Sequence, residues 1–364
     1  MQPTATPWWQ VFVETIEKLP LAQQADRFVS LANEIRSRGE RNSATALALR
    51  AWRLARECGI PQDRTKILQA LAAGAPGYHV QISTDPQRIA TWQMALADIL
   101  RPGMLVLEVG TGSGILAMLA AQAGANVVTC EKNLVLAAIA EETVRANGLA
   151  GRVTVVGKAV EQMRIPQDLP RPADLLMLDM FSDDLFSFKP FDAIRAAKPL
   201  LRPGATVMPM QVSLQAALAD FARWPRMVPD HIAGLDISPL ADIAGLRHIF
   251  DSSDPDFQLR SAPMSMVSAV LPDDLPSQPG APERTAVSDG GPVNGVANWL
   301  RMELAPGHVL EARPGVAPRG FYAKPRFYAF REAVETKPGQ QLRIRFAWDA
   351  PASRLQLIEP SAAG

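Results

Sequence analysis

Cysteine and histidine are scarce in this sequence. It contains two cysteines, Cys58 and Cys130, and four histidines among 364 residues. The cysteines lie in different apolar segments and the histidines show no metal-ligand spacing, which argues against a disulfide scaffold and against a metal site. We therefore expect a protein of a reducing, cytoplasmic compartment that holds no metal ion.

Excess charge and long hydrophobic runs are also missing. Lys+Arg and Asp+Glu both number 37, so the formal net charge is zero and gives no support to a general role in binding nucleic acid or membrane surfaces. The longest weakly polar stretch, Ile115 to Val128, is too short to span a bilayer, and the first residues lack a secretory signal. The 48% of hydrophobic residues nevertheless suffice for two or three domain cores, so we expect a soluble protein.

Residues 1–75 show the spacing of amphipathic helices. Phe28, Leu31, Ala32 and Ile35 recur at helical intervals, and a second amphipathic stretch ends near residues 59–61. Small residues before the turn and aromatic residues after it resemble one helix hairpin of tetratricopeptide type. An ordinary helical cap is the alternative interpretation.

The rest of the chain divides into two further regions. Residues 76–210 alternate strand-like and helix-like segments, which predicts a parallel, doubly wound sheet of Rossmann-like type. Residues 211–364 contain strand-like runs punctuated by Pro and Gly, which predict an antiparallel β-domain. Within that domain, residues 271–292 are polar and Pro-rich, and we expect a mobile loop there.

A glycine-rich loop follows the first predicted strand and opens a helix. Ile115 stands where a dinucleotide fingerprint would place a further glycine, and Glu131 ends the second strand 19 residues after Gly112. A carboxylate at that place can accept hydrogen bonds from both ribose hydroxyls. These features predict a site for a nucleoside-type cofactor. The loop reads Glu108-Val109-Gly110-Thr111-Gly112-Ser113-Gly114.

This loop, with its flanking residues 107–116, resembles the cofactor loop of the protein arginine methyltransferases, a family of class I S-adenosylmethionine-dependent methyltransferases. Upstream, His79, Ile82, Asp85 and Arg88 form the pattern H-x-x-[apolar]-x-x-D-x-x-R, a segment that in this family folds over the cofactor. The resemblance implies that Arg88 pairs with the carboxylate of the methionine moiety. His79 either contacts the cofactor or is a packing residue that orders this lid.

The resemblance also implies the remaining cofactor contacts and the architecture. Residues 156–161 resemble the segment that contacts the adenine, with the acidic contact near Val160 or Glu161. The later strands correspond to a β-barrel, and the family dimerises through an arm that would fall in the apolar region 218–250. The expected S-adenosylmethionine-binding residues are His79, Arg88, Glu108, Gly110, Gly112, Gly114, Glu131, Ala159, Val160 and Glu161.

The catalytic loop departs from the family pattern. Arginine methyltransferases carry two glutamates after the fourth strand; Asp179 aligns with the first, and Phe188 occupies the place of the second. The family's Thr-His-Trp motif falls on residues 320–322, which contain no histidine. Asp183 or Asp184 either replaces the missing carboxylate or is a solvated loop residue, so the catalytic candidates are Asp179, Asp183 and Asp184.

Three functional hypotheses follow. The first is methylation of a nitrogen in a peptide or protein side chain, with arginine preferred, by a homodimeric enzyme. The second is another acceptor, such as histidine, a carboxylate, or a small molecule such as free arginine. The third is a catalytically silent partner subunit, against which the intact glycine loop, Arg88 and Glu131 argue.

Overall fold

The computed structural model describes residues 7–58, 71, 77–182, 185–224, 231–239, 247–276, 281–317, 323–349 and 352–358. Helices dominate the first part of the chain, strands and helices alternate up to Met208, and strands dominate from Gln211 onward. The helices are α1 (Gln10–Glu17), α2 (Leu21–Ser37), α3 (Arg41–Glu57), α4 (Tyr78–Thr84), α5 (Pro86–Ile99), α6 (Ile115–Gln122), α7 (Leu134–Ala146) and α8 (Pro190–Ala197). This order confirms the predicted fold class, a Rossmann-like core between N-terminal helices and a β-barrel.

The N-terminal helices form a small core of their own. α2 and α3 pack against each other through side chains that include Phe28 and Ile35, both fully buried. Val135 and Ala138 of α7 belong to the same apolar cluster, so these helices rest on the central part of the chain. The comparison with a tetratricopeptide hairpin stays a prediction.

The central domain is built on a five-stranded parallel sheet. Its strands are β1 (Leu105–Val109), β2 (Asn126–Cys130), β3 (Val153–Val156), β4 (Ala173–Leu178) and β5 (Leu201–Met208). They lie in the order β3-β2-β1-β4-β5, and β1 is buried along its whole length. The order changes direction between β1 and β4, and ligands of such sheets bind at the carboxyl ends of the strands beside that point.

The third region is antiparallel. Its main sheet has the order β10-β6-β13-β15-β9, with β11 on β6 and β14 on β13, and a smaller sheet has the order β12-β16-β17. β7 and β8, two residues each, pair with each other in a separate two-stranded sheet. The strands are β6 (Gln211–Phe221), β7 (His231–Ile232), β8 (Leu235–Asp236), β9 (Arg247–Ile249), β10 (Phe257–Leu259), β11 (Met264–Val270), β12 (Glu283–Val287), β13 (Gly291–Ala305), β14 (His308–Glu311), β15 (Arg326–Thr336), β16 (Gln341–Asp349) and β17 (Ala352–Ile358).

The prediction of a mobile loop over residues 271–292 was wrong in its second half. β12 lies there and pairs with β16, and β13 already begins at Gly291. Only Ala286 of β12 is buried, because this short strand lies at the edge of its sheet. An edge strand with one inward side chain lacks the alternation by which strands are recognised.

No helix in the described part of the chain is both long and apolar enough to cross a bilayer.

Candidate active site

The glycine loop turns sharply between β1 and α6. Gly110, Gly112 and Gly114 have φ angles of 86°, 54° and 83°, a left-handed conformation that favours glycine. A Cβ atom at Gly112 would lie 3.4 Å from Nδ1 of His79, and one at Gly110 would lie 3.1 Å from Cγ of Met180. Side chains at these positions would therefore fill the space directly above the loop.

α4 lies across this loop. The hydroxyls of Ser83 in α4 and Ser113 in the loop are hydrogen-bonded at 2.7 Å. The rings of Tyr78 and His79 stack with centroids 4.4 Å apart. Burial lowers the pKa of His79, against the opposing charge of Glu131, whereas burial and then Glu131 raise the pKa of Tyr78. The side of α4 that faces the loop is thus aromatic and favours neutral side chains.

Glu131 follows the last residue of β2 and lines one cavity together with the glycine loop. Its side chain is buried and accepts hydrogen bonds from the backbone N–H groups of Gly112, at 3.2 Å, and Asn133, at 2.8 Å. A carboxylate offers about four lone-pair sites. These two bonds fix the side chain and still leave acceptor capacity for a pair of ribose hydroxyls.

Glu108 has a structural role that the sequence did not indicate. Its buried carboxyl accepts a 2.5 Å hydrogen bond from the hydroxyl of Thr129, which is itself 2.5 Å from the hydroxyl of Thr111 in the glycine loop. Burial disfavours the charged form and raises the pKa of Glu108 to about 8. At neutral pH this side chain is mostly protonated and ties β1 and β2 to the loop.

Arg88 and Asp179 form a buried ion pair. Nε of Arg88 donates to Oδ2 of Asp179 at 2.6 Å, and the two side chains are only 4% and 5% exposed. Arg88 Nη1 also donates to the carbonyl of Ile82, while Asp85 caps α5 by accepting from the Arg88 backbone N–H. The H-x-x-[apolar]-x-x-D-x-x-R pattern therefore starts a helix that presents its arginine to the end of β4.

The segment after β3 closes the opposite side. Val160 is buried and starts a short 3₁₀ helix, whereas Glu161 beside it is exposed. Both line the cavity together with Ala159 and Lys158, whose ammonium group donates to Asp168 at 2.6 Å. The structure thus leaves either Val160 or Glu161 available to a ligand at this side.

A single cavity of about 620 Å³ brings most of the predicted residues together. Its wall includes Asp179 and all of the predicted cofactor residues except Gly114. Gly114 lies off the wall, because its open side faces Ala140 of α7, where a Cβ atom would lie 3.3 Å away. That glycine serves the packing of the loop rather than the ligand. Asp183, Asp184 and residues 320–322 lie outside the described residues.

Aromatic side chains occupy the end of the cavity near Asp179. Phe188, which the sequence resemblance aligns with the family's second glutamate, is half exposed on the cavity wall. Phe181 and Phe186 are buried behind it against Phe191. Among the residues that the structure describes, no three acidic, histidine or cysteine side chains gather as metal ligands. The cavity wall also includes Lys189 and Asp192, so the chemistry available here is that of two carboxylates, a guanidinium, an ammonium group and an apolar surface.

Known proteins resemble both the sequence and the fold. The family model of protein-L-isoaspartate(D-aspartate) O-methyltransferase matches residues 65–161, the part that carries the glycine loop. An arginine N(omega)-methyltransferase of Streptomyces achromogenes subsp. streptozoticus is 28% identical over 296 residues, 79% of this chain and 80% of that enzyme. Protein arginine N-methyltransferase 7 of Drosophila ananassae is 35% identical over 140 residues, which cover 37% of this chain but only 20% of that protein.

Two solved structures share the fold of about three quarters of the chain. The Trypanosoma brucei PRMT1 enzyme–prozyme heterotetrameric complex with AdoHcy superposes with a TM-score of 0.65 at 19% identity, covering 74% of this chain and 87% of the other. Arabidopsis thaliana protein arginine methyltransferase 10 gives 0.62 at 19% identity, covering 76% and 89%. Together with the glycine loop and the acid after β2, these similarities identify the chain as an S-adenosylmethionine-dependent methyltransferase that is similar in sequence and in fold to arginine methyltransferases.

Proposed function

We propose that this enzyme methylates a guanidinium nitrogen of arginine in a peptide or protein. The observation that carries the proposal is the position of Asp179: its carboxylate lies at the end of β4, on the wall of the cavity that contains the glycine loop. Two similar proteins, one named as an arginine methyltransferase and one as a protein arginine methyltransferase, support arginine as the acceptor. The isoaspartate family model matches only residues 65–161, which precede Asp179, and so bears on the cofactor domain rather than on the acceptor.

The residues of the cavity fit S-adenosylmethionine. In this proposal Glu131 accepts from the ribose hydroxyls, and Arg88 contacts the methionine carboxylate. A guanidinium carries five N–H donors, so its bond to Asp179 is compatible with a second anionic partner. Val160 or Glu161 contacts the adenine. The bound cofactor supplies an electrophilic methyl group on a sulfonium.

Asp179 then orients the acceptor. A guanidinium stays protonated near neutral pH, and a carboxylate that accepts its N–H bonds concentrates electron density on the attacking nitrogen. Arg88 holds Asp179 in place, because the side chain of a buried aspartate with a 2.6 Å partner has one preferred orientation. Arg88 therefore positions the carboxylate in addition to its contact with the cofactor.

The acceptor is tested with peptides whose only nucleophile is arginine, histidine or a carboxylate, and with free arginine. We expect wild type to methylate the arginine peptide, and Asp179→Asn to lose transfer while calorimetry shows that it still binds the cofactor. Full activity of the Asn variant would remove Asp179 from the mechanism. Activity on free arginine alone would show that the acceptor is the free amino acid and not a peptide. Cofactor binding with no transfer to any acceptor would indicate a catalytically silent subunit.

We further propose that the enzyme is a homodimer. β7 and β8 pair only with each other, and the apolar side chains Ile232 and Leu235 of this small hairpin are 55% and 69% exposed. An isologous contact would bury both. Light scattering at micromolar concentration tests this proposal, and a monomer mass would reject it.

A further inference from the structure

Two aromatic rings line the cavity that contains Asp179. Tyr78 comes from α4 and Phe188 from the segment before α8, and both line the cavity with Asp179. Their ring centroids lie 6.3 Å apart with an interplanar angle of 37°. The two residues are 43% and 50% exposed, so each ring keeps a large accessible surface at the cavity.

The backbone on either side of Phe188 is held in place. Leu185 and Lys189 adopt φ angles of 65° and 53°, which non-glycine residues rarely occupy. Leu185 and Phe186 are buried, and the ring of Phe186 packs 5.4 Å from that of Phe191. The segment is therefore anchored by its neighbours while Phe188 itself stays at the cavity.

Tyr78 is supported in a similar way. Its ring stacks on His79, and α4 is joined to the glycine loop by the hydrogen bond between Ser83 and Ser113. The two rings thus come from separate elements that meet at the cavity, each fixed by contacts that do not involve the other ring.

The charges at this end offer little net attraction for a cation. Asp179 is paired with Arg88, and Lys189 and Asp192 on the same wall also carry opposite charges. The place of a second carboxylate is taken by Phe188. A cationic acceptor therefore needs a further source of binding that does not depend on net negative charge.

We propose that Tyr78 and Phe188 form an aromatic clamp that binds the acceptor guanidinium through cation–π interactions. This inference rests on the proposed arginine acceptor. Arginine stacks on aromatic faces, and a cation within about 6 Å of a ring centroid is attracted by it. Because the centroids are 6.3 Å apart, a planar guanidinium at the rim of the pair reaches both rings. The clamp selects a flat, delocalised cation over a neutral group of the same shape.

The test compares Phe188→Leu and Tyr78→Leu with the matched control Tyr78→Phe, which keeps the ring. The KM for a single-arginine peptide is measured, together with inhibition by the same peptide carrying citrulline, a neutral isostere of arginine. We expect both leucine variants to raise the KM about 2- to 30-fold, Tyr78→Phe to raise it less than Tyr78→Leu because the ring is kept, and citrulline inhibition to change little. Calorimetric cofactor binding by Phe188→Leu, unchanged from wild type, shows that the variant is folded.

Two results would overturn the clamp while leaving the proposed function intact. One is an unchanged arginine KM in both leucine variants. The other is an equal loss of affinity for the arginine and citrulline peptides, which would make the rings an apolar wall without selectivity for charge. Failure of the wild-type enzyme to methylate any arginine peptide or free arginine would instead reject the proposed function.

Discussion

Replacing Glu108 by glutamine should make the free energy of unfolding of the domain that contains β1 to β5 less dependent on pH. The folded protein keeps a proton on Glu108 up to a pKa of about 8, whereas an unfolded chain releases it near 4.5. Between these values the folded state binds more protons, so the free energy of unfolding falls as the pH rises. The slope for one such group is about 1.4 kcal/mol for each pH unit, almost fully developed between about pH 5.5 and pH 7.

Glutamine has the shape of glutamate, keeps an oxygen that can accept from Thr129, and does not titrate. The difference in stability between Glu108→Gln and wild type should therefore grow by about 2.5 kcal/mol, in favour of the variant, from pH 5.5 to pH 7.5. The assay is the urea dependence of hydrogen exchange in the amides of β1, compared at equal pH so that other titrating groups cancel. Parallel pH profiles for the two proteins would refute the assignment of a protonated Glu108.

Three further outcomes are expected. Glu131→Ala should weaken binding of S-adenosylmethionine by about 1.5–3 kcal/mol, the contribution of hydrogen bonds to a charged group, and calorimetry that shows wild-type affinity would reject the ribose contact. Gly112→Ala should weaken cofactor binding at its strained φ of 54° beside His79, whereas Gly151→Ala, with a Cβ atom in open space and no positive φ, should bind like wild type. Ile232→Asp combined with Leu235→Asp should convert the dimer to monomers in light scattering, and an unchanged mass would remove this hairpin from the interface.

The cofactor half of the site could be predicted from local patterns. β1 is apolar except for Glu108, the glycines follow it directly, and Glu131 stands just after the next strand, so each signal lies within a short stretch of chain.

Features that depend on packing across the fold could not be predicted in this way. Arg88 and Asp179 are 91 residues apart, and their pairing requires α5 to lie over the end of β4. Gly114 looks like the other two glycines of the loop in sequence, but only the position of α7 shows that it faces Ala140. The aromatic pair of Tyr78 and Phe188 likewise arises from two distant segments.

Mass spectrometry of a single-arginine peptide, after incubation with the enzyme and S-adenosylmethionine, shows directly whether the enzyme methylates arginine. The structure predicts that wild type replaces one N–H hydrogen of the arginine side chain by a methyl group, a net gain of one CH2 in the mass of the peptide. It also predicts that Asp179→Asn, with cofactor binding intact, leaves the peptide unmodified. Methylation of the arginine peptide by the Asn variant at the wild-type rate, or methylation of a histidine or carboxylate peptide in its place, would contradict the account.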